Sequence, residues 1–183
     1  MTLSTYTKEF SYNLRLAYPI ILGMFGRSHV TIAFANNFLR ETTDAKLTER
    51  NVSANTKAEI ANYRAEARLL RAMSYYYMMD LFGQANFSTE DDAINAEPKA
   101  YDRAQLFEFI ETELKAIEAD LKAPLANEHA RADKGVAWMI LAKIYLNAEV
   151  YIGQAKYTEC IDYCNKLISG GYTLATDYKH NFM

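Results

Sequence analysis

The sequence predicts an all-α fold built from paired helices. Seven glycines and three prolines in 183 residues are too few for a turn-rich β-sandwich, and half of the residues are hydrophobic, enough for a sizeable core. Apolar residues recur mainly at steps of three and four, which is the period of an α-helix. We therefore expect a single domain over residues 1–183, formed by tetratricopeptide-like helical hairpins in a right-handed array.

The central helix is expected to begin at a capping box and to end at a glycine. Thr56 and Glu59 have the spacing of that box, and Gly83 follows the last apolar residue. Two adjacent apolar stripes predict packing partners on two sides. The first stripe holds Ile60, Tyr63, Ala67, Leu70, Ser74, Tyr77 and Leu81, and the second holds Ala65, Leu69, Ala72, Tyr76 and Met79.

Two helices are expected before the central one. Because Pro19, Gly23 and Gly26 would interrupt a long helix, residues 6–25 predict a short helix and a turn. Residues 28–40 predict the second helix. Its inward face would carry Val30, Ala33, Phe34 and Phe38.

Two polar segments predict connections at the surface. Residues 41–55 alternate in charge, and residues 84–101 form a connection that is long for a compact domain. Ligand binding and plain mobility both remain open for the second segment. Asn36 and Asn37, close to the inward face of their helix, are expected to be satisfied amides at a helix contact, with a ligand contact as the alternative.

Three further helices follow. Asp102 and Gln105 form a capping box for the first, residues 134–148 predict a helix that is buried nearly all round, and residues 155–169 predict one that stops at Gly170. The charged face of the first, expected to be solvated, holds Glu108, Glu111, Glu113, Lys115, Glu118 and Asp120. The inward residues are predicted as Phe107, Ile110, Leu114, Ile117 and Leu121 in the first helix and Tyr157, Cys160, Ile161, Cys164, Leu167 and Ile168 in the last.

An internal repeat relates the central helix to the helix of residues 134–148. The offset of 70 residues pairs Ala67 with Ala137, Leu70 with Ile140, Ala72 with Ala142, Tyr75 with Tyr145 and Gly83 with Gly153. It is about twice the 34-residue tetratricopeptide period. Ala72 and Ala142 are expected where two helices approach most closely, and Trp138 is also assigned a structural role. Arg71, between residues of both stripes, is expected to be a buried charge held by an acid or by helix-end carbonyls.

The sequence contains no recognisable catalytic motif. A phosphate loop, an HExxH motif and a Cys/His dyad are missing, and Glu66 is expected to pair with nearby arginines, so no enzyme, cofactor or metal is predicted. Cys160 and Cys164 lack neighbouring histidines and are expected to be core thiols. The net charge of −3 without a basic block argues against nucleic acid. Apolar runs are too short to span a bilayer, and the N-terminus does not have the pattern of a signal peptide.

Four ordered segments resemble the SusD/RagB family. Residues 35–41, 63–83, 131–148 and 171–182 are similar to its AN-x-FL-R element, its hallmark helix, its RADK…YLNAE helix and its GYTL ending. The resemblance implies a non-catalytic surface lipoprotein of the Bacteroidota outer membrane that captures glycan and passes it to a SusC-like, TonB-dependent transporter. Since family members are longer and carry a lipid-attachment cysteine, we expect this chain to be a fragment. The competing interpretation is a tetratricopeptide-like scaffold that binds a peptide or protein.

Aromatic residues on irregular segments are the candidates for glycan contact. Fourteen tyrosines are present, and those on helices are expected to be mostly committed to packing. The N-terminal stretch is favoured because it is rich in aromatic residues, and Asn86 with Phe87 is the second choice. The favoured candidates are Tyr6, Phe10, Tyr12 and Asn13.

Overall fold

The computed structural model describes residues 3–173 and 176–179, with side chains from residue 19 onward. Within these ranges the protein has seven α-helices and one small antiparallel sheet. In chain order they are α1 (Leu3–Glu41), α2 (Asp44–Glu49), α3 (Ala54–Phe82), β1 (Gln84–Phe87), β2 (Lys99–Asp102), α4 (Arg103–Ile117), α5 (Lys134–Leu146), α6 (Ala148–Ile152) and α7 (Tyr157–Ser169). The main packing pairs are α1 with α3, α3 with α4, and α5 with α7. The predicted helical, tetratricopeptide-like architecture is confirmed, with a β-hairpin added to it.

The first helix is longer than the sequence pattern predicted. Pro19 lies inside α1, and neither Gly23 nor Gly26 ends it, so the expected short helix and turn are wrong. Helix-breaking residues are weak local signals, and the helix continues through residues 19–24 although their side chains are exposed. The contact of α1 with α3 decides which side of α1 faces the core.

The buried face of α1 also differs from the prediction. Ile32, Ala35 and Leu39 are buried, whereas Val30 is exposed and Phe34 is 72% exposed. Both sets recur at helical spacing, so the period identifies the helix but not the face. The position of α3 selects the face that is buried.

The central helix starts slightly earlier than predicted. Ser53, not Thr56, is its N-cap, and the Ser53 Oγ accepts a hydrogen bond from the Thr56 N–H at 3.3 Å, so the proposed capping box is wrong. Gly83 ends the helix in a left-handed conformation with φ of 73°, as predicted. The second apolar stripe is buried throughout. In the first stripe Tyr63, Leu70, Tyr77 and Leu81 are exposed instead.

The connection after α3 is partly a β-hairpin. β1 and β2 are antiparallel, with Phe87 opposite Lys99, so residues 88–98 form the turn, which we call the hairpin loop. The Phe87 ring stacks on that of Tyr101 with centroids 3.9 Å apart, which links the two strands through their side chains. Residues 41–55, predicted as a connection at the surface, also contain the short helix α2, in which Leu47 is buried.

The later helices follow the predicted pattern in part. The capping box at Asp102 and the five-residue inward stripe that begins at Phe107 are confirmed, but Glu113 is buried rather than solvated. In α7 only Cys160 and Tyr163 are buried, and Ile168 is 77% exposed, because α7 packs mainly against α5. Both cysteines are free thiols.

The structure bears out the 70-residue repeat. Gly83 and Gly153 both cap a helix in the left-handed conformation, at φ of 73° and 69°. Tyr75 and Tyr145 are both fully buried. The equivalent alanines, Ala72 and Ala142, are at most 5% exposed. Each repeat is a helical hairpin, α3 with α4 and α5 with α7.

Candidate functional site

A buried ion cluster, which we call the Arg71 cluster, joins α1, α3, α4 and the hairpin loop. Arg71 is only 2% exposed, and its Nη2 donates to Glu113 Oε1 at 2.6 Å. Its Nη1 donates to Asn36 Oδ1 at 2.7 Å and also to the carboxylate of Glu90. Arg68 completes the cluster with two hydrogen bonds to Glu113, at 2.7 and 3.0 Å.

The electrostatics of the Arg71 cluster favour the ionised form of Glu113. Burial raises the pKa of Glu113, but the hydrogen bonds and positive charges of Arg68 and Arg71 outweigh burial and hold that pKa below its ordinary value. Both Glu113 oxygens are occupied by guanidinium donors. A carboxylate bound in this way is suited to holding elements together and not to proton transfer.

Neighbouring side chains fix the start of the hairpin loop. The Tyr75 hydroxyl donates to the Ser88 carbonyl at 2.8 Å and accepts from the Ser88 N–H at 2.9 Å. Asn36 Nδ2 donates to the same carbonyl at 3.1 Å. Arg40 donates to three main-chain carbonyls of the loop at 2.9 to 3.0 Å. The loop is therefore held by α1 and α3 along its first five residues.

A cleft of about 480 Å³, the polar cleft, lies between α1 and the hairpin loop. Asn37 and Asn86 are exposed on it, and neither makes a side-chain hydrogen bond within the part of the chain that the structure describes. His29 Nδ1 lies 3.0 Å from the Phe25 carbonyl, while its Nε2 is buried without a partner among the described residues. The cleft thus combines rigid walls with unused hydrogen-bonding groups.

A second depression, the apolar groove, lies between α3, α5 and α7 and encloses about 720 Å³. The Tyr172 hydroxyl donates to Asp133 at one end, at 3.1 Å. Burial and this carboxylate raise the pKa of Tyr172 to about 12, so it stays neutral. Apolar side chains form most of the lining, including Met73, Tyr77, Val136, Met139 and Ile168.

The candidate residues that were predicted from the sequence differ in their structural surroundings. The side chains of Tyr6, Phe10, Tyr12 and Asn13 lie outside the described residues. Phe87 packs against Tyr75 and Phe109 as well as Tyr101, so it offers no free sugar-stacking face, whereas Asn86 faces the polar cleft. Trp138 Nε1 donates to Glu118 at 2.9 Å, linking α5 to the end of α4.

Sequence analysis did not assign several residues of these sites to a functional or structural site. His29, Arg40 and Asp92 were not singled out, and the partners of Arg71 were not identified. The signal available was the need of a buried arginine for an acid, but the sequence holds 23 acidic residues and does not choose among them.

Over the residues described, no helix combines the length and apolarity needed to cross a membrane. The same residues contain no group of three or more His, Cys, Asp or Glu side chains arranged to hold a metal ion.

Comparison with known proteins identifies relatives of one kind, although no family model matches the chain. The chain is 41% identical over 128 residues to the starch-binding protein SusD of Bacteroides thetaiotaomicron, a match that covers 70% of this chain and 23% of SusD. The chain thus spans about a quarter of the length of this curated relative.

Solved structures show the same fold. One crystal structure, a complex with a xylogluco-oligosaccharide, matches with a TM-score of 0.71 at 23% identity over 87% of this chain and 32% of that one. The surface glycan-binding protein A of Bacteroides uniformis matches with a TM-score of 0.67 at 20% identity over 84% of this chain and 33% of its own. A SusD-like protein of Bacteroides fragilis matches with a TM-score of 0.62 at 22% identity, over 82% and 27% of the two chains. The sequence match is to SusD and the tetratricopeptide-like helical fold is shared with a SusD-like protein, so this chain is similar to SusD-like proteins over the part that they share.

Proposed function

We propose that this chain is part of a glycan-binding protein of a nutrient uptake system. The observation that carries the proposal is the 41% identity to starch-binding SusD over 128 residues. Two structural neighbours, one in complex with a xylogluco-oligosaccharide and one named for surface glycan binding, support a saccharide as the class of ligand. Because the match covers 23% of SusD, the activity is proposed for the complete protein.

The proposal includes a partner and a location that follow from the family resemblance. The complete protein would sit at the outer-membrane surface, held by a lipid anchor, and pass bound glycan to a SusC-like, TonB-dependent transporter. It would act by binding alone, without a cofactor. The Arg71 cluster suits a binding role, because Arg71 pairs with Glu90 of the hairpin loop and with Glu113 of α4 and so joins the loop to the helices.

Affinity electrophoresis of the complete protein tests this function. Gels containing starch or xyloglucan should retard the protein relative to a gel without polysaccharide, and a non-binding protein of similar size serves as the mobility control. The polysaccharide should keep its chain length after incubation. Unchanged mobility across a panel of neutral polysaccharides would contradict the proposal, and release of reducing ends would contradict its non-catalytic part.

The apolar groove favours a second candidate, a tetratricopeptide-like scaffold that binds protein. A groove of about 720 Å³ lined by Met73, Tyr77 and Met139 has the character of a surface that receives the apolar face of an amphipathic helix. Methionine side chains adapt to such partners. Pull-downs with immobilised polysaccharides and with amphipathic helical peptides would separate the candidates, and Met139→Asp should reduce only the capture of peptide.

A further inference from the structure

We infer that the polar cleft is a binding site for a neutral saccharide on this chain. The inference rests on the proposed function and adds to it a place and a set of contacts. The cleft volume of about 480 Å³ falls within the range of roughly 300–1,000 Å³ that small-ligand sites occupy. The walls of the cleft, its balance of charges and its unused polar groups each favour a neutral, hydroxyl-bearing ligand.

The walls of the polar cleft are preorganised by hydrogen bonds within the protein. Arg40 and Asn36 hold the hairpin loop through hydrogen bonds of 2.9 to 3.1 Å to main-chain carbonyls, and Arg71 pairs with Glu90 of the same loop. Asp92 Oδ2 accepts from the Thr89 N–H at 2.7 Å and closes the turn. A rigid wall lowers the entropy lost on binding, which is what a site for a weakly interacting polyol requires.

The charges of the cleft argue for a neutral ligand. The lining contains Arg40 and Lys99 but also Asp92 and Glu97, so the two signs are equal in number. The Nε and Nη2 of Arg40 are already used by the hairpin loop. A phosphate or carboxylate would meet acidic groups as readily as basic ones, whereas sugar hydroxyls interact with both.

Three uncharged side chains of the lining, His29, Asn37 and Asn86, have hydrogen-bonding atoms without a partner among the described residues. His29 lines the cleft, and because the Phe25 carbonyl can only accept, we assign a proton to Nδ1, which leaves Nε2 as an acceptor without a partner among the described residues. Asn37 on α1 and Asn86 on β1 each offer an amide donor and a carbonyl acceptor. This is the paired donor and acceptor pattern that matches a hydroxyl-bearing ring.

Variants of these three residues test the site in the complete protein. His29→Phe preserves a ring on Phe25, whose centroid lies 4.4 Å from that of His29, but removes the acceptor. The double variant Asn37→Ala with Asn86→Ala changes only exposed side chains, so it tests the site even if His29→Phe is unstable. The matched controls, His129→Ala and Asn165→Ala, alter exposed side chains on other segments.

Isothermal titration calorimetry with a maltooligosaccharide and a xylogluco-oligosaccharide provides the measurement. We expect the Asn37/Asn86 variant and His29→Phe each to weaken binding of the recognised sugar about tenfold, because each loses one or two ligand hydrogen bonds. The controls should bind as the wild type. Hydrogen exchange should show sugar-dependent protection of residues 29–40 and 86–99, and none of residues 156–169.

The outcomes separate this inference from the proposed function. Wild-type binding that both cleft variants retain in full would overturn the cleft assignment and leave the glycan function standing. A wild type that binds no saccharide in the calorimeter or on polysaccharide gels would overturn both. Loss of binding in the cleft variants with unchanged melting temperature would support the assignment.

Discussion

A single arginine organises the contacts among α1, α3, α4 and the hairpin loop. Arg71 reaches Asn36, Glu90 and Glu113, which belong to three separate segments, and 42 residues separate Arg71 from Glu113. A buried guanidinium without partners would be costly, so the acids and the amide have to converge on it. The position of the hairpin loop is therefore coupled to the packing of α3 on α4.

Replacing Arg71 should reduce stability more than it reduces ligand binding. Arg71→Met leaves Glu90 and Asn36 without their buried donor, while Glu113 keeps Arg68, so we expect a loss of about 3 kcal/mol in the free energy of unfolding, at the lower end for a broken buried pair. Urea unfolding measures this loss. Arg27→Met is the control, because Arg27 is exposed on α1 and should have an effect within about 0.5 kcal/mol. Equal stability of the two variants would contradict a structural role for Arg71.

The same cluster predicts an acid sensitivity. Because the pKa of Glu113 is lowered in the folded state, its contribution is complete above the unfolded-state pKa of about 4.3 and is lost as the pH falls through the folded value. Glu113→Gln should therefore be less stable than wild type at pH 7, with a difference that shrinks below about pH 4. Urea titrations at several pH values measure it. Glu108→Gln, at an exposed position of α4, should show a small difference at every pH.

At the scale of elements, the repeat predicts where small residues are required. Ala142 is 5% exposed, in the hairpin equivalent to that of Ala72. Ala142→Leu should overpack the contact and destabilise the protein by about 1–3 kcal/mol. Ala58→Leu on the exposed side of α3 is the matched control and should be nearly neutral. An unchanged melting temperature for Ala142→Leu would reject the assignment of a close helix contact.

The start of α4 depends on one reciprocal cap. Asp102 Oδ1 accepts from the Gln105 N–H at 2.9 Å, and Gln105 Oε1 accepts from the Asp102 N–H at 3.1 Å. Asp102→Ala should cost about 1 kcal/mol of stability, whereas Asp102→Asn, which keeps an acceptor, should cost much less. Thermal unfolding of the two variants distinguishes them. The cap also joins β2 directly to α4, so its loss should loosen the hairpin in hydrogen exchange.

For the whole molecule, the expectation of one domain stays a prediction that the single tryptophan can test. Trp138 lies on α5 and donates to Glu118 at 2.9 Å, which couples the second helical hairpin to the first. If residues 1–183 form one cooperative unit, Trp138 fluorescence and far-ultraviolet circular dichroism should give the same unfolding midpoint. Two separated midpoints would indicate that the hairpins unfold independently.

Prediction from the sequence succeeded for two helix ends with local signals, although the equally local capping box at Thr56 and the helix break at Pro19 were wrong. The Asp102 cap and the glycine stop at Gly83 depend on residues within one helical turn, and both are observed. Prediction also failed where two faces of one helix carry apolar residues at the same helical spacing. The stripe of α1 that contains Phe34 has the spacing of the stripe that contains Leu39, yet only the latter is buried. The β-hairpin was also missed, since short strands between helices leave a weak pattern.

The sequence by itself determined the helical class, the repeat and the motifs that resemble the SusD/RagB family, because periodicity and motifs depend on residues that are close in the sequence. The tertiary structure alone decided which helix faces are buried and which acids meet Arg71. It also placed α1 beside the hairpin loop to form the polar cleft. Arg40 and Asp92, for example, are 52 residues apart and meet only after the helices pack. Such contacts depend on the burial of many side chains together, and the free energy of that burial cannot be inferred from any short segment of the sequence.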